Sequence, residues 1–200
     1  MQEARVLSRI VRCCASGWEY EPDQCHAELI VQAMGLKEAK AVKTPGEDEP
    51  QWKMEDNEQM LSASEASQYR AVAARANYLA LDRLDIQYAT KECCRGMAQP
   101  QVRHLSMLKR LARYLVGKPR VVWHYPWQEH EDIKAYSDSD WAGCRRTARS
   151  TSGGILMRGE HHIKSWSSTQ KRLTLSSAEA ELGALVKTAC EALGAMQMAG

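Results

Sequence analysis

Near residue 120 the apolar pattern of this chain changes its period, and that change restricts it to a mixed, α+β fold. Upstream the spacing is helical. The run PQVRHLSMLKRLARYLVGKP (100–119) sets Val102, Leu105, Leu108, Leu111, Ala112 and Leu115 on one stripe, begins at Pro100 and stops at Gly117 and Pro119. SEASQYRAVAARANYLAL (64–81) repeats the spacing with Tyr69, Val72, Ala73, Ala76, Leu79 and Ala80, and a further helix is expected over 83–97. QCHAELIVQAMG (24–35) reads as a shorter helix, capped by Asp23 and ended by Gly35. Residues 4–13 fit a short strand or a helix start, and WEYEPD after Gly17 reads as extended.

Downstream the pattern is that of strands. VVWHYP (121–126) and IKAYSDSDWAG (133–143) are strand-like, the latter running into a turn. STSGGILMRG (150–159) and HHIKSWSST (161–169) form a hairpin signal around Gly159-Glu160. SSAEAELGALVKTACEALGAMQMA (176–199) is a long helix, capped by Ser176 or Ser177, with Glu179 near its start. The tail is therefore β-β-β-α. Upstream, between the 24–35 and 64–81 helices, TPGEDEPQWKMEDNEQ (44–59) holds six acids, two Pro and no periodicity, which marks a linker.

Net charge is only +2, so any nucleic-acid footprint must be local. One concentrated basic element exists, the 100–116 helix with Arg103, Lys109, Arg110 and Arg113 outside its apolar stripe. Taken by itself it reads first as a solvated helix face and second as a phosphate contact. Seven Cys include the adjacent pairs Cys13-Cys14 and Cys93-Cys94 but no C-x-x-C, which favours neither a disulfide framework nor a zinc site. A reducing intracellular location is expected. The N-terminus lacks a signal-peptide apolar core, and no apolar run is long enough to span a membrane.

Within the tail, YSDSDWAG (136–143) raises a chemical question. Phosphodiester hydrolysis is served by two hard cations about 3.5–4 Å apart, held by carboxylates from separate elements. Asp138 near a strand end and Glu181 in the following helix could begin such a cluster, with Asp140 beside it or on the surface. An acidic turn and a dipole-favoured helical Glu are the plain alternative. His161-His162 lack a third ligand at useful spacing and read as surface. Trp141 and Trp166 suit core packing beneath the sheet, or stacking on a base.

Four ordered blocks settle between these readings: Tyr136–Gly143, Arg149–Gly153, Ile163–Gln170 and Ser176–Glu181. They resemble the ribonuclease H domain of copia-type retrotransposon polyproteins, whose pattern is Y-x-D-x-D-W-A-G, R-R/K-S-T-S-G, I-x-W-x-S-x-x-Q and S-S-x-E-A-E. Upstream, YRAVAARANYLALDRLDIQYATKECCRGMAQPQVRHLSMLKRLARYLVGKP is similar to the end of the same polyprotein's reverse transcriptase and its connecting region. So is EYEPDQCHAELIVQAMGLKEAKAVKTPG, up to Thr44-Pro45.

The resemblance implies a fold and an activity. The expected organisation is a C-terminal tail of reverse transcriptase (1–46), an acidic linker (47–63), a helical connection region (64–127) and a truncated ribonuclease H-like β-β-β-α unit (128–200). The family's activity is Mg²⁺-dependent endonucleolytic cutting of the RNA strand of an RNA–DNA hybrid, with two ions on a D-E-D-D set. Carried over, Asp138 and Glu181 are the metal ligands, and Glu179 is the capping residue. Glu181, Ala184 and Leu185 are expected on the face that packs on the sheet. Arg145, Arg146, Arg149, Lys171 and Arg172, with Lys109, Arg110 and Arg113, would hold the hybrid backbone. Some of Ser150–Ser152 and Ser165–Ser168 would touch phosphate or the 2′-hydroxyl.

The departures matter too. The family's third and fourth Asp are expected beyond Gly200, no Y-x-D-D occurs, R-P-D-I reads Arg83-Leu84-Asp85-Ile86, and the usual Gly after the Y-R block is Ala74. The Mg²⁺ site is therefore expected to be incomplete, and the rest of the polyprotein is an expected partner. Three roles compete: a nuclease fragment, a nucleic-acid-binding remnant that does not cut, and a non-functional translated relic.

Overall fold

The computed structural model describes residues 2–47, 58–129, 132–144 and 146–199. Most of the expected acidic linker, residues 48–57, lies outside them. The chain divides into two compact units, Met1–Cys14 with Glu19–Trp123, and Ala15–Trp18 with His124–Gly200. The expected tail (1–46) and connection region (64–127) thus fall largely into one unit, because their apolar faces share one core.

In the first unit, β1 (Gln2–Val6) and β2 (Arg9–Cys14) form an antiparallel hairpin. Its turn residues Leu7 and Ser8 both adopt positive φ (49° and 66°), which a two-residue hairpin turn requires and which no Gly in the sequence signals. The strand-or-helix ambiguity over 4–13 resolves as this hairpin. β3 (Gly17–Glu21) is the extended WEYE piece, next to β2. Asp23 then caps α1 (Gln24–Ala33) by accepting from the Cys25 amide at 2.9 Å. Gly35 leaves the helix at φ +66°.

α2 (Ala63–Leu79) starts with a capping box between Ser62 and Glu65. The expected second helix begins instead as a 3₁₀ turn (Leu84–Ile86) before α3 (Gln87–Arg95). α4 (Val102–Gly117) completes the unit. One face of each helix enters a single core of Ile30, Tyr69, Val72, Ala76, Leu79, Ile86, Leu108, Leu111 and Leu115.

Charged side chains tie this core's rim. Arg83 is buried and forks onto Asp85 (2.9 and 2.7 Å), and reaches the Lys118 and Pro119 carbonyls. The Tyr114 hydroxyl also donates to Asp85, at 2.9 Å. The Arg and Asp of the Arg83–Ile86 block thus fix the C-terminal end of α4. Glu21 at the end of β3 is fully buried and accepts from Arg12 (2.9 Å), from Arg120 (2.7 and 2.9 Å) and from Gln24.

In the second unit, Trp127 bonds back to the Ala15 and Ser16 carbonyls at 3.0 and 3.1 Å, and Trp18 meets the Trp127 ring edge-on. This unit holds the end of β4 (Trp123–Pro126), then β5 (Ile133–Cys144), β6 (Arg149–Arg158), β7 (His161–Thr169) and α5 (Ser177–Ala199). β5, β6 and β7 make an antiparallel three-stranded sheet in that order, joined at Gly159 (φ +56°) between β6 and β7. α5 lies over β5 and β6. The order is the β-β-β-α that the pattern predicts.

The arginine forks on Glu21 hold its carboxyl near pKa 2, below its ordinary 4.5. A depressed folded-state pKa stabilises above the unfolded value, so Glu21's contribution is full above about 4.5 and is lost as pH falls towards 2. Glu21→Ala should leave Arg12 facing a void and cost about 3 kcal/mol in urea unfolding at pH 7, with a smaller difference from the parent at pH 3.

Candidate functional site

The second unit is built from hydrogen bonds between the four motif blocks. In Trp141-Ala142-Gly143 the strand breaks its register after Asp140, and Ala142 takes φ +52°. The Ala142 amide donates to the buried Ser150 hydroxyl at 3.1 Å, which also bonds Thr174 at 2.8 Å. The Asp140 carboxylate lies close to Gly143, so that a Cβ there would meet Asp140 Oδ2 at 1.6 Å and displace that side chain. Asp140 is exposed and is the last β5 residue in register before that break, opposite Thr151. The Trp141 indole is half exposed and donates to the Thr174 carbonyl at 3.1 Å, so it lies outside the core beneath the sheet that its strand position suggests.

Gln170 joins the sheet to the helix. Its Nε2 donates to the Ala180 carbonyl (2.8 Å) and to Ser152 Oγ (2.9 Å), and its amide donates to the Ser150 carbonyl (2.8 Å). Ser150 and Ser152 are buried and committed to these bonds, which removes them from the residues available to a phosphate or 2′-hydroxyl. Gly154 faces Trp166 across β6–β7, and a Cβ there would lie 2.1 Å from the ring. Lys187 of α5 covers the same ring and donates to Ser168 at 2.8 Å; burial lowers its pKa.

These ties set the two carboxylates. Glu179 caps α5: its Oε2 accepts from the Leu175 amide (2.7 Å) and its own amide donates to Ser176 Oγ (3.2 Å). Glu181 instead reaches β5, where its Oε1 accepts from the Ser139 hydroxyl (3.0 Å) and amide (3.3 Å). Asp138 is the exposed neighbour of Ser139, opposite Gly153 of β6. The helix Glu is therefore held on the strand residue that follows Asp138. Ala180 and Ala184 form the buried face of α5, while Glu181 and Leu185 are exposed, one flank away from the face expected for them. Among the described residues no group of three or more His, Cys, Asp or Glu is placed to hold a metal ion.

Arg146, Arg149, Lys171 and Arg172 are exposed in this unit; Arg145 lies outside the described residues. On α4 the basic residues are mostly engaged. Arg110 pairs with Glu47 (2.6 Å) and Thr44 (2.9 Å), and Arg113 donates to the Lys40 carbonyl at 2.9 Å. Arg103 is buried on Gln101, and Lys109 stays exposed. The helix face that reads as phosphate-binding is thus largely a bracket for residues 40–47. His104 is buried and makes a local hydrogen bond, accepting from the Gln101 amide at 3.1 Å, with its pKa lowered by burial and by Arg95. His161 bonds the Pro126 carbonyl at 2.7 Å. Sequence spacing gave no sign of the Ser139–Glu181 contact, because the spacer position in D-S-D carries no chemical signal by itself.

Two retrovirus-related Pol polyproteins of Arabidopsis thaliana, from transposons RE1 and RE2, are 37% and 36% identical to this chain over 154 residues, 76% of its length. The chain spans about a tenth (10%) of each. An uncharacterized mitochondrial protein of the same plant is 33% identical over 167 residues, covering 83% of this chain and 68% of that protein. No family model and no solved structure matches.

Gln170→Leu removes both side-chain donors, leaving Ser152 and the Ala180 carbonyl without them. We expect a loss of about 1–3 kcal/mol and faster amide hydrogen exchange confined to β6 and the first turns of α5.

Proposed function

This chain belongs to the copia-type retrotransposon Pol polyprotein family, and from that premise we propose that it carries the connection region and the opening β-β-β-α unit of a ribonuclease H domain. Asp138 and Glu181 are its ligands for magnesium. The reading is supported chiefly by the contact of Glu181 with Ser139, which brings the helix carboxylate to the strand residue next to Asp138.

The donor set fits a hard cation, since both ligands are carboxylates, but two such groups suit one magnesium that keeps most of its waters rather than a two-ion centre. When bound, the ion supplies charge relief at phosphate and a more acidic water. The chain's own residues do the rest. Ser139 orients Glu181 through two hydrogen bonds to one oxygen, leaving the other oxygen directed away from them. Arg146, Arg149, Lys171 and Arg172 hold the backbone of an RNA–DNA hybrid electrostatically. With the carboxylate set incomplete, cleavage is expected to be slow. Because these cations are exposed while the site holds only two carboxylates, binding without cutting is the second reading.

A labelled RNA–DNA hybrid incubated with the folded chain in Mg²⁺, then Mn²⁺, separates them. Slow cleavage abolished by Asp138→Asn supports the nuclease reading. Its absence, with salt-sensitive hybrid binding that survives Asp138→Asn, replaces it with the binding reading; neither cleavage nor binding overturns both.

A further inference from the structure

We propose that His104 is an acid-opened latch inside the first unit: as a neutral imidazole it holds the start of α4 closed against residues 59–61, and on taking up a proton it releases them.

The corner that it closes is made of backbone. The Val102 amide donates to the Gln59 carbonyl at 2.9 Å, and the Leu61 amide donates to the Pro100 carbonyl at 3.0 Å. Met60 and Gln101 are the antiparallel bridge partners between these two bonds. In such a pair the flanking groups face the partner strand, so the amide of Gln101 itself points away from it. That amide donates to His104 Nδ1 at 3.1 Å. Gln101 is the N-cap of α4 and His104 is the third helical residue, so the imidazole occupies the place of the Glu or Gln in a capping box. The next residue of the strap, Ser62, caps α2. One side chain therefore stands between the starts of two helices.

A Glu or Gln oxygen at this place accepts without needing to lose a proton at neutral pH, whereas an imidazole nitrogen accepts only while it carries none. A backbone N–H can only donate, so its bond to Nδ1 assigns the single ring hydrogen to Nε2. A second proton goes to Nδ1, where two N–H groups would face each other. The ring has little room to turn aside. It is buried, and Gly96, at the end of α3, lies so close that a Cβ there would stand 2.7 Å from Nδ1. Protonation therefore breaks the bond and drives the ring outward. Acid would loosen the starts of α2 and α4 together and leave their shared core in place.

The surroundings disfavour the cation. Burial, and then Arg95 of α3, hold His104 below its ordinary 6.5. The start of α4 adds the positive end of a helix dipole. From α2, the Tyr69 ring lies 6.3 Å away between centroids, and its hydroxyl, raised by burial, donates to the Cys93 carbonyl. α3 also carries Cys93 and Cys94, whose thiols burial raises, so these three groups stay uncharged while His104 titrates. Glu92 of α3 is paired with Arg95 at 3.1 Å. α4 contributes Arg103, which donates to Gln101 Oε1 at 2.8 Å. The strap Gln59–Leu61 carries no titratable group. A folded-state pKa below the unfolded one means that the latch is complete above about 6.5 and is lost as pH falls through the lower, folded value.

Amide hydrogen exchange of the full chain, read by NMR as protection factors at about pH 7.5 and about pH 5, tests this. Leu61, Gln101 and Val102 should lose protection at least about fivefold at the lower pH, the contribution of one backbone hydrogen bond. Leu108 and Leu111, deeper in α4, should not change. His104→Gln supplies an acceptor that no proton removes, so the three amides should stay protected at both pH values. His104→Leu should leave them open at both. Equal protection of the parent at the two pH values overturns the proposal, and so does a loss that persists in His104→Gln. Should the variants not fold, the parent decides alone: the His104 ring resonances and the three protection factors should change about one shared midpoint, and separate midpoints overturn the latch.

Discussion

The arrangement of the second unit depends on one amide. Gln170 Nε2 is shared between the carbonyl of Ala180 in the helix and the hydroxyl of Ser152 in the sheet. Gly183 lies against it, where a Cβ would stand 3.4 Å from that nitrogen, in ordinary contact. Held at this point, α5 can turn only a narrow stripe of small residues onto the sheet, Ala180 and Ala184 among them. Glu181, the next residue round, is then obliged to lie over β5, and Glu179 is obliged to stay at the cap. The position of the candidate ligand follows from an uncharged side chain on the far side of the helix.

The motif blocks specify scaffold more than reacting groups. Ser150, Ser152, Gly154, Gln170 and Gly143 each satisfy a buried polar atom or make space for a neighbouring side chain. Of the motif carboxylates, Glu179 is taken up by the Leu175 amide and Glu181 by Ser139, while Asp138 and Asp140 are exposed. Hydroxyls that a surface reading offers to RNA are instead interior bonds, as expected where a buried polar atom must find a partner.

The elements were legible because their signals are local. Alternation marked β5–β7, and helical stripes marked α2 and α4 (Tyr69, Val72, Ala76; Leu108, Leu111, Leu115). The Glu179 cap was legible for the same reason. What sequence could not show depended on distant partners or on unusual backbone. Leu7 and Ser8 form a turn with positive φ at residues that rarely accept it. Arg110 and Arg113 read as free cations until residues 40–47 fold against them. Leu185 was assigned to the sheet face with Glu181, since a helical period fixes relative angles but not which angle points inward.

The two units bury different kinds of surface. The first has a continuous apolar core of large side chains, including Ile30, Tyr69, Leu79, Ile86, Leu108, Leu111 and Leu115. The second buries Leu156 and two alanines as its described apolar core, and surrounds them with Ser150, Thr151, Ser152 and Thr188. Hydrogen bonds contribute roughly 1 kcal/mol each, against about 1.5–3 kcal/mol for a large apolar side chain fully buried. A unit assembled mainly from the former has little margin of its own. Its unused apolar material, Leu182, Leu185, Leu193 and Met196, lies on the exposed side of α5. Burying that side would add the apolar term that its described core lacks.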